Sequence, residues 1–259
     1  MNVNVNIAFL SLSLLYIAFL NIVFLKRGHI KTFELDTFGR LIKLNLIGII
    51  LEFGCIFTIK YSNNTFLIEA VNRLFLLYLV TFIFLFSVYV FSISFNKKNK
   101  KNTITRFIAL TMYLISVLLI FYLKLSIYNK NNIIYSYGPS TNVVYISSCI
   151  CVILCFISMI KNYKELKSKK YLPLFIFIVG GSLVALIQKI NPALTLATSM
   201  EAYLLMIMYH TIENPDIKLL DEVHRAKEIT DNANEEKTMF LYNMTNEIRE
   251  ITRDINYST

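Results

Sequence analysis

Two carboxylates sit where a membrane-crossing chain tolerates them least. Glu52 lies in an apolar run near 42–60, and Glu201 lies in another near 193–211. A charged side chain facing lipid at mid-span costs several kcal/mol, so both should turn into the interior of a helical bundle, neutral or paired. Two kinds of work are open to them there. One is a ligand-binding or proton-sensing site, with Arg73, Lys124 and Gln188 as partners toward the outer half of the spans. The other is interhelical hydrogen-bond glue with no signalling role. Lys189 stands at the outer end of its run, which does not suit a mid-membrane Schiff base. Cys55, Cys149, Cys151 and Cys155 all fall inside apolar runs and read as small buried hydrophobes, with no His or acid nearby to complete a metal site. No metal and no cofactor are expected.

The elements that must position these side chains follow from composition. The 259 residues are 56% hydrophobic and 14% aromatic, with mean hydropathy +0.55, too apolar for an ordinary soluble domain. The uncharged start `MNVNVN` and the lack of a small-residue cleavage signal mark the first apolar run as a retained span. Seven runs are close to the length that crosses a bilayer, near 7–25, 42–60, 74–95, 105–125, 143–160, 171–190 and 193–211. Only `INPA` parts the last two, so they are either a helical hairpin turning at Asn191-Pro192 or one bent segment. The aromatic stretch `FLLYLVTFIFLFSVYVF` reads as lipid-facing and packing surface.

Charge in the loops sets the orientation. Lys26, Arg27, Lys31, Arg40 and Lys43 follow the first run; Lys97, Lys98, Lys100, Lys101 and Arg106 follow the third; Lys161, Lys164, Lys167, Lys169 and Lys170 follow the fifth. The alternate loops hold only Lys60 and Arg73, then Lys124 and Lys130, then Lys189. This positive-inside pattern places the amino terminus outside a plasma membrane and the tail in the cytoplasm, as an odd number of spans requires. The outer loops `YSNNTFLIEAVNR` and `YNKNNIIYSYGPSTN` are short, which limits a stimulus to something small, lipidic or physical. The excess base belongs to the membrane part and points to anionic lipid rather than nucleic acid. From Glu213 onward there are 6 Lys/Arg against 11 Asp/Glu, or −5, leaving 20 against 6, or +14, before it.

After the membrane part the chain changes character. From Pro215 there is no Gly, charges of both signs are dense, and one long helix is expected with Pro215 in its first turn. Leu219, Val223, Ala226, Ala233, Phe240, Met244 and Ile251 follow a seven-residue repeat that Thr230 and Lys237 interrupt. Such a stripe on a lone helix needs a second surface, and another protomer is the expected one.

Within that helix, `EEKTMFLYNMTNEIRE` resembles the phospho-acceptor box of bacterial sensor histidine kinases: Phe240, Met244, Glu247, Ile248 and Arg249 stand at matching positions, with Thr245 in place of the usual Ser. Asn246 occupies the position of the acceptor His, beside the adjacent acid, Glu247. The resemblance implies a membrane sensor feeding a signalling helix and then a dimerisation helix. It also implies no phosphotransfer here, because a carboxamide nitrogen is not nucleophilic, and no glycine follows Gly181 to build an ATP-binding loop. The family's helix-bending Pro is Ile251, and Glu250 replaces its Thr; both favour a straighter helix. His224 lacks the flanking pattern and reads as a solvated helix residue; His29 and His210 fall at cytoplasmic span ends.

The expected architecture is all-α: a polytopic helical bundle of about seven spans over 1–212, a signalling helix over 213–238, and a degenerate dimerisation and phospho-acceptor helix over 239–259, coiled-coil-like and cytoplasmic. The expected activity is a non-catalytic receptor module acting as a homodimer or as a heterodimer with a histidine kinase, in contact with membrane lipid and an unknown small or lipidic ligand. Three other readings stay open: the amino-terminal part of a longer kinase, a solute or lipid transporter with a regulatory tail, and a structural anchor.

Overall fold

The computed structural model describes residues 3–26, 33–94, 101–130, 133–161, 171–192, 194, 196–213 and 215–257. It divides into two compact units, Met1–Ile212 and Glu213–Thr259. Among the described residues the first unit holds helices α1 (Val3–Leu25), α2 (Phe33–Tyr61), α3 (Thr65–Ser94), α4 (Lys101–Tyr122), α5 (Pro139–Lys161), α6 (Tyr171–Ile190) and α7 (Ala197–Met208), and a two-stranded hairpin between α4 and α5. A single π-helical turn, Tyr209–Glu213, follows α7.

Four helices are long and apolar enough to cross a membrane, over Val5–Leu25, Phe33–Tyr61, Thr65–Ser92 and Pro139–Ile160. Shorter apolar helical stretches cover Phe107–Tyr122 and Ile178–Ile190. The last two apolar runs are separate helices with Asn191 and Pro192 between them, and they pack on one another. α7 has 12 residues before the π-helical turn, far fewer than the run that contains it. The segments 27–32, 95–100 and 162–170, and with them Arg27, His29, Lys31, Lys97, Lys98, Lys100, Lys164, Lys167, Lys169 and Lys170, lie outside the described residues.

Burial separates the two faces of these helices. Leu10, Ile17, Phe38, Ile49, Phe82 and Leu205 are completely buried in one core, while Leu15, Phe19, Phe57, Phe107, Leu118 and Leu183 are largely exposed on the outside. An outer surface this apolar is untenable in water and natural against lipid. The aromatic run of α3 mainly packs inward: Phe82, Phe86, Tyr89 and Phe91 are all buried. Many hydroxyls within the helices are satisfied locally, as where Thr58 donates to the Gly54 carbonyl at 2.7 Å and Ser87 to that of Ile83 at 2.8 Å.

The hairpin departs from an all-helical reading. Strands β1 (Ser126–Lys130) and β2 (Ile133–Tyr137) pair antiparallel, with Tyr128 opposite Tyr135 and their rings stacked at 4.9 Å. Ile134 is 8% exposed and joins the core, and Asn129 donates through Nδ2 to the Ile59 carbonyl at 3.1 Å. The loop therefore folds back over one end of the bundle instead of standing free. Gly138 closes it at φ 115°, where a Cβ would sit 3.2 Å from the Lys124 carbonyl. Pro139 then opens α5, its missing N–H costing nothing at a first-turn position.

Tyr78 of α3 packs directly over Gly48 of α2. The ring of Tyr78 occupies the space that any Cβ at position 48 would need, and small residues permit such approach in membrane bundles. The second unit is described by itself: α8 (Pro215–Tyr257) has 43 residues, about 65 Å of continuous helix. Val223, Phe240, Met244 and Ile251 are exposed on it; the side chain of Leu219 lies outside the described residues.

Gly48→Val should drive Tyr78 out of its seat and destabilise the bundle by about 1–3 kcal/mol, the usual cost of overpacking. Thermal melting in detergent reads this directly, and an unchanged midpoint would refute the close α2–α3 contact.

Candidate functional site

Glu52 and Glu201 meet through a polar cluster on three helices. On α2, Asn45 and Glu52 are two helical turns apart and share a face. α3 contributes Tyr78, and α7 contributes Thr198 and Glu201, also on one face. Tyr78 donates its hydroxyl proton to Glu201 Oε2. Asn45 Nδ2 lies 3.1 Å from the Tyr78 hydroxyl oxygen, 3.3 Å from the Thr198 carbonyl and 3.3 Å from Glu201 Oε2, so two hydrogens serve three acceptors. Thr198 donates through Oγ1 to Glu52 Oε2. None of the five is more than 9% exposed. Hydrogen bonds of this kind make polar side chains tolerable inside a membrane bundle, although the Asn45 Oδ1 has no hydrogen-bond partner among the described residues.

Glu52 and Glu201 also line a cavity of about 520 Å³, within the range of small-molecule sites, between α2, α3, α5, α6 and α7. Asn45, Tyr78 and Thr198 do not line it. Glu52 and Glu201 therefore belong both to the cluster and to the cavity wall. Its other walls are mainly apolar, with Phe75, Leu79, Phe86, Val152 and Leu204 among them, and Ile134 and Tyr135 of β2 contribute from the hairpin. Thr141 brings a buried hydroxyl to the wall that has no hydrogen-bond partner among the described residues.

The remaining expected residues separate. Gln188 lines the same cavity as the acids. Arg73 does not: its guanidinium pairs with Glu69 at 2.6 Å and donates to the carbonyls of Ile120, Phe121 and Leu123. It caps the carboxyl end of α4, satisfying backbone acceptors the helix leaves open. Lys124 is exposed, one residue beyond that cap, and is not on the cavity wall. All four cysteines are free thiols that line the cavity; Cys55, Cys151 and Cys155 are buried, whereas Cys149 is exposed. No cluster of potential metal ligands occurs among the described residues.

Asn45, Tyr78 and Thr198 were not singled out by sequence reasoning. A signal for Asn45 existed: it is a carboxamide in the apolar stretch `LIKLNLIGII`, seven residues before Glu52 on the same helix. Tyr78 gave none, because a tyrosine in an aromatic run is ordinary packing material.

No protein-family model, no curated protein and no solved structure matches this chain. Its class is therefore defined by the molecule alone: a helical bundle with four membrane-length apolar helices, and a cavity whose wall carries two buried carboxyl groups.

Removing the Tyr78 hydroxyl should cost about 0.6–1.7 kcal/mol, the range for interhelical hydrogen bonds in bilayers. Tyr78→Phe should lower the melting midpoint accordingly, and an unchanged midpoint would refute the link to Glu201. Arg73→Ala should instead speed amide hydrogen exchange around 119–124 while leaving α7 protected; equal acceleration in both would show that Arg73 supports more than the end of α4.

Proposed function

We propose that this chain is a seven-span plasma-membrane receptor module of a histidine kinase-like protein, with its amino terminus outside and a dimeric helix in the cytoplasm. A ligand in the cavity is its input. The observation that carries the reading is the place of Glu201, which lines the cavity and sits on α7, the last bundle helix before the π-helical turn and α8 in the sequence. A ligand that binds differently to two arrangements of α7 shifts the balance between them. A shift or rotation of α7 then passes along the chain into the helix that follows.

The output is non-catalytic at position 246. Asn246 and Glu247 stand where the resembled family has its acceptor and neighbouring acid, and the amide cannot accept phosphate. Signal leaves by pairing: α8 joins a second copy, or a histidine kinase in a mixed dimer that it activates or blocks. Support for pairing comes from the heptad positions Val223, Phe240, Met244 and Ile251, exposed on α8. The positive-inside bias of the loops supports the orientation. The cavity also suits a transporter, which predicts ligand flux in proteoliposomes; observed flux would displace the receptor reading.

Single cysteines placed along 219–244 should crosslink in native membranes with a seven-residue rhythm, strongest at 219, 223, 226, 233, 240 and 244. The wild-type chain serves as the control for its own four thiols. Crosslinking that is absent throughout, or uniform along the helix, would remove the dimer and the route by which the signal leaves.

A further inference from the structure

The cavity has a rim as well as walls. Two of its lining residues on α5, Ile146 and Cys149, are exposed, as are two on α6, Leu186 and Lys189; Ile146 is 60% and Leu186 63% exposed. A side chain that lines a cavity yet is more than half exposed must stand at its mouth. The mouth therefore lies between α5 and α6, on the flank of the bundle, where Leu183 and Ile153 present the apolar surface that faces lipid. β2 and Pro192 line the cavity where it meets the loop-covered end of the bundle. A site built in this way is reached sideways from the hydrocarbon.

Its chemistry is lopsided. Two acidic residues, Glu52 and Glu201, line the cavity and accept hydrogen bonds when ionised, and the only base among the described lining residues is Lys189, exposed at the rim with its Nζ 5.9 Å from the centre of the Tyr145 ring. The donors that hold the acids, Tyr78 and Thr198, come from behind the wall. A hydrogen-bond-donating cationic group fits beside two acids in a low-dielectric site, and an anion does not. The rest of the lining suits an alkyl chain.

We propose that the cavity binds a single-chain amphiphile with an amine head, which enters from the bilayer between α5 and α6 and seats its ammonium group against Glu52 and Glu201. This inference rests on the reading that the cavity is the input site, and it adds the ligand class and the route. Binding is separable from signalling because occupancy can be read without the tail.

Cys149 at the rim supplies the probe. Wild-type protein in phosphatidylcholine vesicles is treated with a lipid-soluble maleimide, and labelling of each thiol is resolved by mass spectrometry. Cys149 should react, and dodecylamine at low mole fraction should slow it about tenfold relative to dodecanoate at the same level, the discrimination expected from one favourable ion pair in place of repulsion. Glu201→Gln and, separately, Glu52→Gln should lose that protection while the unprotected labelling rate stays the same; two variants guard against one failing to fold. Equal protection by dodecanoate, or none by either chain, overturns the amine site. Reaction of Cys149 only with a membrane-impermeant thiosulfonate overturns the lateral route. Protection by the amine with no change in the crosslinking of α8 keeps the site and overturns the receptor reading instead.

Discussion

The ring of Tyr78 fills the place where a side chain at position 48 would be, and much of the bundle follows from that contact. Because α2 offers only a glycine there, α3 approaches closely enough for the tyrosine hydroxyl to pass α2 and reach Glu201 on α7. The same approach puts that hydroxyl within 3.1 Å of Asn45. One small residue thus brings three helices within hydrogen-bonding distance at a single buried point. In a bilayer, where lipid competes with apolar side chains for contact, close packing and interhelical hydrogen bonds are what select one arrangement of helices over others.

The polar cluster has a structural and a chemical consequence. Structurally, hydrogen bonds among Asn45, Tyr78, Thr198 and the two acids turn residues that lipid would penalise into links between α2, α3 and α7. Chemically, the cluster is one-sided. Its donors Tyr78 and Thr198 belong to residues off the cavity wall, while Glu52 and Glu201 belong to that wall, so a stabilising network also places two acids beside a space for a ligand. The glue and site readings of Glu52 and Glu201 are in this respect compatible, because the groups that hold the acids are not the groups that line the cavity.

Arg73 shows how a plausible partner is claimed by a stronger local demand. A guanidinium with five donors at the level of an ending helix finds several backbone acceptors there and a carboxylate one turn away. Glu69 and the carbonyls at the end of α4 engage it, and Glu52 and Glu201 are left to neutral donors. Its position at the start of an apolar run was readable from the chain, but its partners depend on where α4 stops.

What the sequence determined by itself was the set of apolar runs, the unusual depth of Glu52 and Glu201, the bias of basic loops and the helix beginning at Pro215. These follow from local composition and periodicity, which act over a few turns of chain. It could not show that the loop after α4 folds into a hairpin over the bundle, since `SIYNK` and `IIYSY` are short and gain their stability from Ile134 in the core and from Asn129 bonded to Ile59. Nor could it show that Asn45 and Glu201, 156 residues apart, are neighbours. The helical period identifies which face of a span is unusual but not which other span it meets, because in lipid every apolar face is an acceptable surface. Only the tertiary structure, through the glycine at the α2–α3 crossing and the hydrogen bonds it permits, decided that pairing and the cavity beside it.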